Sequence, residues 1–262
     1  MLKRLFSGMT DPGLLRSSNQ DDFYMDPAGR FFIVADGMGG HAGGQEASRL
    51  ATLTIQEHLE QEWDSDAPTK HLLQRALLLA NRAILEDQSD HPERGDMGTT
   101  VVVMTFREHL DEDPWCAHVG DSRLYRLRGP KLQQITEDHT WIARAVKEGE
   151  LTLAQSRTHP WRHVLSQCLG RTDLNRIDIQ PIPVQAGDRL LLCSDGLTEE
   201  LSDALIASHI KSIRACENAV KALVHSAKQR GGRDNITVVL VALATDKETA
   251  DVPGVDTGFV KS

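Results

Sequence analysis

Five short apolar runs, rich in β-branched residues and leucine, recur along the chain and restrict its fold more than any other feature. They occupy residues 31–35, 100–106, 115–119, 190–193 and 236–243. Runs of this length and composition are typical of buried strands. Apolar residues at helical spacing lie between them, at 47–55, 72–84 and 216–227. Strands follow one another in the middle of the chain and helical segments come in pairs, so the order predicts an α+β fold with mainly antiparallel sheets.

The composition is that of a single globular domain. Hydrophobic residues make up 40% of the chain and charged residues 26%, which argues against disordered and collagen-like classes. We predict one domain over residues 8–244. A charged stretch at about residues 141–170 interrupts the strand pattern, and we interpret it as a small, partly helical flap. Residues 245–262 contain few apolar side chains and are predicted to form a flexible C-terminal tail.

The charge balance argues against nucleic acid or an anionic membrane as a partner. The chain has 29 lysine and arginine residues against 38 aspartate and glutamate residues, and its net charge is −9. No apolar run approaches the roughly 20 residues of a membrane-spanning helix, and none of signal-peptide length follows residues 1–6. The cysteines form no CxxC pair, which argues against a disulfide framework or a zinc site. These observations predict a cytoplasmic protein.

Four aspartates stand where apolar strands begin or end: Asp36, Asp121, Asp195 and Asp234. A single Asp-Gly pair after a strand is usually only a turn. The strands of a sandwich end on a common rim, however, so four such carboxylates can converge, and they then repel one another unless they are protonated or bridged by cations. Oxygen ligands favour Mg²⁺ or Mn²⁺ over zinc. Two such ions about 4 Å apart would lower the pKa of a shared water and hold a phosphoryl group for in-line displacement.

These aspartates belong to longer motifs. The motifs are Arg16 with residues 19–21, then residues 36–41, 98–100, 119–123, 194–197 and 234–237. Their content and order closely resemble the PP2C (PPM) family of Mg²⁺/Mn²⁺-dependent protein phosphatases, in its compact bacterial form, from about residue 8 to 243. The resemblance implies a central β-sandwich of two mainly antiparallel sheets flanked by helices, in α-β-β-α order, with a metal cluster in a cleft at one end.

The resemblance also implies the metal ligands. Asp36 would bridge two divalent cations, Mn²⁺ or Mg²⁺. The Gly37 carbonyl would complete one metal site, and Asp195 with Asp234 would complete the other. Asp121, together with Asp195, would bind a third, weaker metal.

Three further residues receive roles from the same resemblance. Asp21 would hold a metal-bound water from outside the ligand set, and Arg16 would bind the substrate phosphate, for which a planar guanidinium is suited. His41 is placed with Asp36, Asp195 and Asp234 among the catalytic residues. Two roles stay open for it: donating a proton to the leaving alkoxide, or only orienting a water or the phosphate.

The implied function is hydrolysis of phosphoserine and phosphothreonine esters in proteins, reversing the action of a paired serine/threonine kinase. A monomer is expected. The alternative is a catalytically silent module of the same fold that binds or senses phosphoproteins. Intact Arg16, Asp36, Asp195 and Asp234 argue against that alternative, because degeneration should remove metal ligands first.

Other phosphate chemistries fit the sequence less well. A cysteine-dependent phosphatase needs an arginine six residues after its nucleophile, and none of the four cysteines has one. Gly37, Gly39 and Ala42 match a dinucleotide-binding fingerprint, but Asp36 would then lie beside the pyrophosphate. The P-loop spacing of Gly39 and Gly44 lacks the lysine that contacts phosphate.

Overall fold

The computed structural model describes residues 2–40, 42–156, 159–161 and 164–245. His41 and residues 246–262, which include nearly all of the predicted tail, therefore lie outside the described residues. Within the described part of the chain, no helix is long and apolar enough to cross a membrane.

The described residues contain eleven strands and seven α-helices. The strands are β1 (Lys3–Asp11), β2 (Asp21–Met25), β3 (Phe31–Met38), β4 (Gly98–Thr99), β5 (Val101–Thr105), β6 (Trp115–Val119), β7 (Arg123–Arg128), β8 (Lys131–Gln134), β9 (Asp178–Pro181), β10 (Arg189–Cys193) and β11 (Ile236–Ala244). The helices are α1 (Gly43–Gln61), α2 (Thr69–Asp90), α3 (Trp141–Lys147), α4 (Leu153–Ser156), α5 (Asp195–Thr198), α6 (Asp203–Ser212) and α7 (Cys216–Arg230). A 3₁₀ turn at Pro92–Arg94 follows α2.

The strands form two antiparallel sheets. The first has the order β1-β11-β10-β7-β8, and the second has the order β2-β3-β5-β6-β9, with the short β4 paired to β3. The chain crosses from one sheet to the other four times: β1 to β2, β6 to β7, β8 to β9 and β9 to β10. Strand ends from both sheets are therefore brought to the same end of the molecule.

The molecule has four layers in the order helices, sheet, sheet, helices, and one apolar cluster lies between each neighbouring pair of layers. Alternation along β3 illustrates the arrangement: Phe32 and Val34 pack between the two sheets, whereas Phe31 and Ile33 face α1 and α2. On the other sheet, Leu191 faces the side covered by α6 and α7. Because both faces of each sheet are buried, the central strands are continuously apolar, which is why the sequence pattern revealed them. The predicted α-β-β-α sandwich is confirmed.

The segment predicted as a flap contains two short helices, α3 and α4. The Thr140 hydroxyl caps α3 by accepting a hydrogen bond from the Ala143 amide at 3.1 Å. Two isolated backbone bridges fix the segment: Thr140 opposite Leu165 closes it on itself, and Thr99 opposite Leu169 ties it to the sandwich. The second pair joins the end of the segment to β4, beside the end of the sandwich where β3 finishes.

Candidate active site

Most of the predicted site residues line one cleft of about 420 Å³ at the end of the sandwich. Its lining consists of Arg16, Gln20, Asp36, Gly37, Met38, Gly39, Thr100, Asp121, Leu165, Cys168, Arg171, Asp195 and Asp234. Of the eight predicted site residues, six are in this lining. Asp21 lies behind the cleft, and His41 is outside the described residues.

The aspartates reach the cleft from both sheets. Asp36 lies in β3 of the second sheet, and Asp121 lies in the crossover that leads from β6 of that sheet to β7 of the first. Asp195 begins α5 just after β10, and Asp234 lies just before β11, and these two strands are neighbours in the first sheet. Carboxylates far apart in the sequence therefore face one another only because the two sheets are packed together.

Asp21 is buried at the start of β2, opposite Asp36 in the strand pairing. Its Oδ2 accepts hydrogen bonds from the Ser194 hydroxyl at 2.8 Å and the Thr237 hydroxyl at 2.6 Å. Its Oδ1 is buried and has no hydrogen-bond partner. Burial raises the pKa of Asp21 to about 7, with a further contribution from the charge of Asp195, although the two hydroxyl donors act in the opposite direction.

The cleft concentrates negative charge. Burial raises the pKa of Asp36 well above its ordinary value, and the charges of Asp21, Asp195, Asp121 and Asp234 raise it further. Burial also raises the pKa of Asp121, again with the charge of Asp195 adding to the effect. Such a set of carboxylates is stable in its ionised form only beside compensating cations.

The donor set fits divalent cations. Carboxylate oxygens that converge on one cleft are the hard ligands that Mg²⁺ and Mn²⁺ prefer, and behind them the buried Oδ1 of Asp21 has no hydrogen-bond partner. Gly37 adds a backbone position that only glycine can occupy. A Cβ there would collide with the Gly44 carbonyl oxygen and lie 2.5 Å from the Gln20 carbonyl oxygen.

Asn235 organises the loop that carries Arg16. Its side-chain nitrogen donates to the carbonyls of Pro12 at 3.0 Å and Ser18 at 2.9 Å, and its Oδ1 accepts from the Gln20 amide at 2.8 Å. The Asn235 amide also donates to Asp234 Oδ1 at 2.8 Å. One side chain therefore holds both ends of the loop around Arg16.

Thr99 and Thr100 support the strand beside the site. The Thr99 hydroxyl and the Thr100 amide each donate to the Asp36 carbonyl at 2.9 Å. The Thr100 hydroxyl is 2.7 Å from the Ser122 hydroxyl, next to Asp121. These contacts fix the backbone of Asp36 and the side chain that follows Asp121, and both aspartates are predicted metal ligands.

A second polar cluster lies outside the cleft. His118, His139 and Asp178 place their potential ligand atoms within 4.8 Å of one another. The Gly120 amide, which can only donate, lies 3.2 Å from Nδ1 of His139, so the proton of the neutral ring is on Nε2, 3.2 Å from Asp178. Both nitrogens of the His139 ring thus have hydrogen-bond partners, and a metal at Nε2 would require His139 to be an imidazolate. His139, oriented by Asp178, therefore fixes the Gly120 amide next to Asp121 through a hydrogen bond.

Three cleft residues, Leu165, Cys168 and Arg171, were not predicted from the sequence. They come from the end of the flap segment and the loop after it, and no motif marks them as functional. Burial raises the pKa of the Cys168 thiol, so it is poorly suited to be a nucleophile. Arg171 brings a second cation to the cleft besides Arg16.

Comparison with known proteins agrees with this geometry. The family model described as "Protein phosphatase 2C" matches residues 16–241. The protein phosphatase PhpP of Streptococcus pneumoniae is 35% identical over 239 residues, covering 90% of this chain and 96% of PhpP.

Solved structures of phosphatases share this fold. The serine/threonine phosphatase PstP/Ppp of Mycobacterium tuberculosis has a TM-score of 0.83 at 33% identity, covering 94% of this chain and 100% of that chain. A structure of the PstP catalytic domain in complex with two manganese ions has a TM-score of 0.81 at 31% identity, again covering 94% and 100%. This chain therefore belongs to the protein phosphatase 2C family of metal-dependent serine/threonine protein phosphatases.

Proposed function

We propose that this chain removes phosphate from phosphoserine and phosphothreonine residues of proteins at the cleft between its two sheets. The observation that carries the proposal is the convergence of Asp36, Asp121, Asp195 and Asp234 from four strand ends on one cleft that also contains Arg16. No described cleft residue offers an ionised thiol as an alternative nucleophile, because the one cysteine there is buried.

The aspartates are proposed to hold two divalent cations, Mn²⁺ or Mg²⁺. Asp36 and the Gly37 carbonyl, with Asp195 and Asp234, would supply the ligands, and Asp121 with Asp195 would hold a weaker third ion. Bound there, the cations would lower the pKa of a coordinated water and offset the negative charge of the phosphoryl group. The manganese-bound PstP neighbour supports this assignment.

The protein's own groups position the substrate. Arg16 is proposed to bind the phosphate through its guanidinium, whose paired donors match phosphate oxygens. Asp21 lies behind Asp36, and its unpartnered Oδ1 can accept a hydrogen bond from a water in the cleft. His41 remains a predicted proton donor or orienting group, since it lies outside the described residues.

The proposed partners are phosphorylated proteins and a serine/threonine kinase whose products this enzyme reverses. A cytoplasmic location and a monomeric state complete the proposal. The net charge of −9 is in keeping with protein substrates rather than nucleic acid.

Hydrolysis of a phosphothreonine peptide, measured with EDTA, Mg²⁺ or Mn²⁺, tests the function. We expect turnover only with added metal, and loss of turnover in Asp195→Ala. If the folded wild-type chain binds the phosphopeptide but releases no phosphate under any metal, the catalytically silent alternative replaces this proposal.

A further inference from the structure

We propose that Arg171 determines substrate specificity by binding an acidic side chain next to the phosphorylated residue. This inference rests on the proposed function, because it concerns the peptide that the phosphatase cleft accepts. It adds a contact at a position that no sequence motif marks.

The backbone around Arg171 is held in place by α2. The Asn81 side-chain oxygen accepts hydrogen bonds from the amides of Gly170 at 2.7 Å and Arg171 at 3.1 Å. The Asn81 side-chain nitrogen donates back to the Arg171 carbonyl at 3.1 Å. Gly170 has a φ of +92°, and a Cβ at this position would lie 2.6 Å from the Met97 carbonyl oxygen. The backbone at Arg171 is therefore held in one position by α2.

The Arg171 side chain is oriented by one carboxylate. Its Nε and Nη2 donate to the two oxygens of Asp173 at 2.7 Å and 2.8 Å. Nη1 has no hydrogen-bond partner among the described residues, and the side chain is 47% exposed. Arg171 lines the cleft whereas Asp173 does not, so the arginine is the member of this pair that a peptide bound in the cleft can meet.

Arg16 and Arg171 reach the cleft from opposite layers of the sandwich. The loop of Arg16 is held beside α7 and β11, where the Leu14 amide donates to the Gly232 carbonyl at 2.7 Å. The loop of Arg171 is held by Asn81 of α2, on the other side. Among the described residues that line the cleft, these two are the only lysines or arginines.

The charges around the cleft explain why an acidic neighbour would bind at Arg171. The aspartates are partly buried in the cleft, whereas both arginines are exposed at its rim, where the peptide on either side of a phosphorylated residue must pass. Arg16 is already paired with Asp234 and is assigned to the phosphate. Arg171 offers free N–H groups of a kind that form charge-assisted hydrogen bonds with a carboxylate.

The experiment compares two phosphothreonine peptides of the same sequence, with glutamate or with glutamine at the positions flanking the phosphothreonine. The kcat/KM of each is measured with Mn²⁺ for the wild type, Arg171→Gln, Arg171→Lys and Arg82→Gln. Arg82 is a matched control, because it is an exposed arginine of α2 paired with Glu86 at 2.7 Å, and it is not in the cleft lining.

We expect the wild type to prefer the glutamate peptide, and Arg171→Gln to lower the ratio of the two kcat/KM values about two- to five-fold, the range of an exposed ion pair. Arg171→Lys should keep most of the ratio, and Arg82→Gln should match the wild type. A wild type that hydrolyses both peptides without preference overturns the inference while leaving the phosphatase function standing. An Arg171→Gln variant with the wild-type ratio, including one that is slower on both peptides alike, also overturns it. Absence of hydrolysis of either peptide by the wild type would instead overturn the proposed function.

Discussion

Arg16 donates a hydrogen bond of 2.7 Å from its Nη2 to Oδ2 of Asp234, although 218 positions separate the two residues. The predicted phosphate ligand thus lies against a predicted metal ligand. Asn235 makes this possible, because it ties the backbone at both ends of the Arg16 loop to the residue that follows Asp234. Arg16 is therefore already located at the side of the cleft before any substrate enters.

Replacing Arg16 tests its role in substrate binding. We expect Arg16→Ala to raise KM for a phosphothreonine peptide about ten-fold and to lower kcat less, because a charge-assisted contact to the phosphate is lost. Arg16→Lys should recover only part of the effect, since lysine keeps the charge but not the paired donors. Steady-state kinetics with Mn²⁺ provide the measurement, and an unchanged KM in Arg16→Ala would show that the residue is structural.

Replacing Asp195 tests the metal assignment. We expect Asp195→Ala to fold but to lose at least about 100-fold in kcat/KM, because the loss of a metal ligand removes several kcal/mol of transition-state stabilisation. Its melting temperature should also respond less to Mn²⁺ than that of the wild type. The exposed Asp64 provides a control, and Asp64→Asn should behave as the wild type. Near-normal turnover by folded Asp195→Ala would refute the assignment.

The raised pKa values of the cleft aspartates predict how stability depends on pH in the absence of metal. Burial raises the pKa of Asp21 from 3.8 to about 7 and raises the pKa of Asp36 and Asp121 as well. The folded state then binds more protons than the unfolded state, so the free energy of unfolding should fall as the pH rises from about 4 to above 7.

Urea unfolding in EDTA at pH 5 and pH 8 measures this effect. We expect lower stability at pH 8, a weaker pH dependence in Asp21→Asn, and a larger gain from added Mn²⁺ at pH 8 than at pH 5, because the metal competes with protons. Equal pH dependence in the wild type and Asp21→Asn would contradict the expected contribution of Asp21.

Gly37 at the end of β3 and Gly40 in the bend that follows provide a test of backbone packing. A Cβ at Gly37 would collide with the Gly44 carbonyl, whereas a Cβ at Gly40 would meet nothing within 4 Å. We expect Gly37→Ala to lower the free energy of unfolding by about 1–3 kcal/mol, and Gly40→Ala to change it by less than about 0.5 kcal/mol. Denaturant titrations in EDTA measure both, and equal stabilities would show that the backbone at Gly37 can move aside.

The strands that were predicted and those that were missed differ in how they are buried. Five predicted apolar runs correspond to β3, β5, β6, β10 and β11, which are five of the six interior strands of the two sheets. Strands β1, β2, β8 and β9 lie at sheet edges and were missed, as was β7, where arginines alternate with buried residues. Edge strands depend on backbone pairing with a neighbour more than on apolar side chains, so their sequences carry a weaker signal.

The sequence by itself determined the chemistry of the site, because aspartates at strand ends and the motifs around them are local features that can be read in order along the chain. It also determined the central strands, whose continuous apolar character follows from burial on both faces. Only the tertiary structure decided which distant groups meet. Ser194 and Thr237 donate to Asp21 from 173 and 216 positions away, and Arg171 enters the cleft through a loop held by α2. Such contacts depend on how two sheets and their helices pack in three dimensions, and no local pattern encodes that packing.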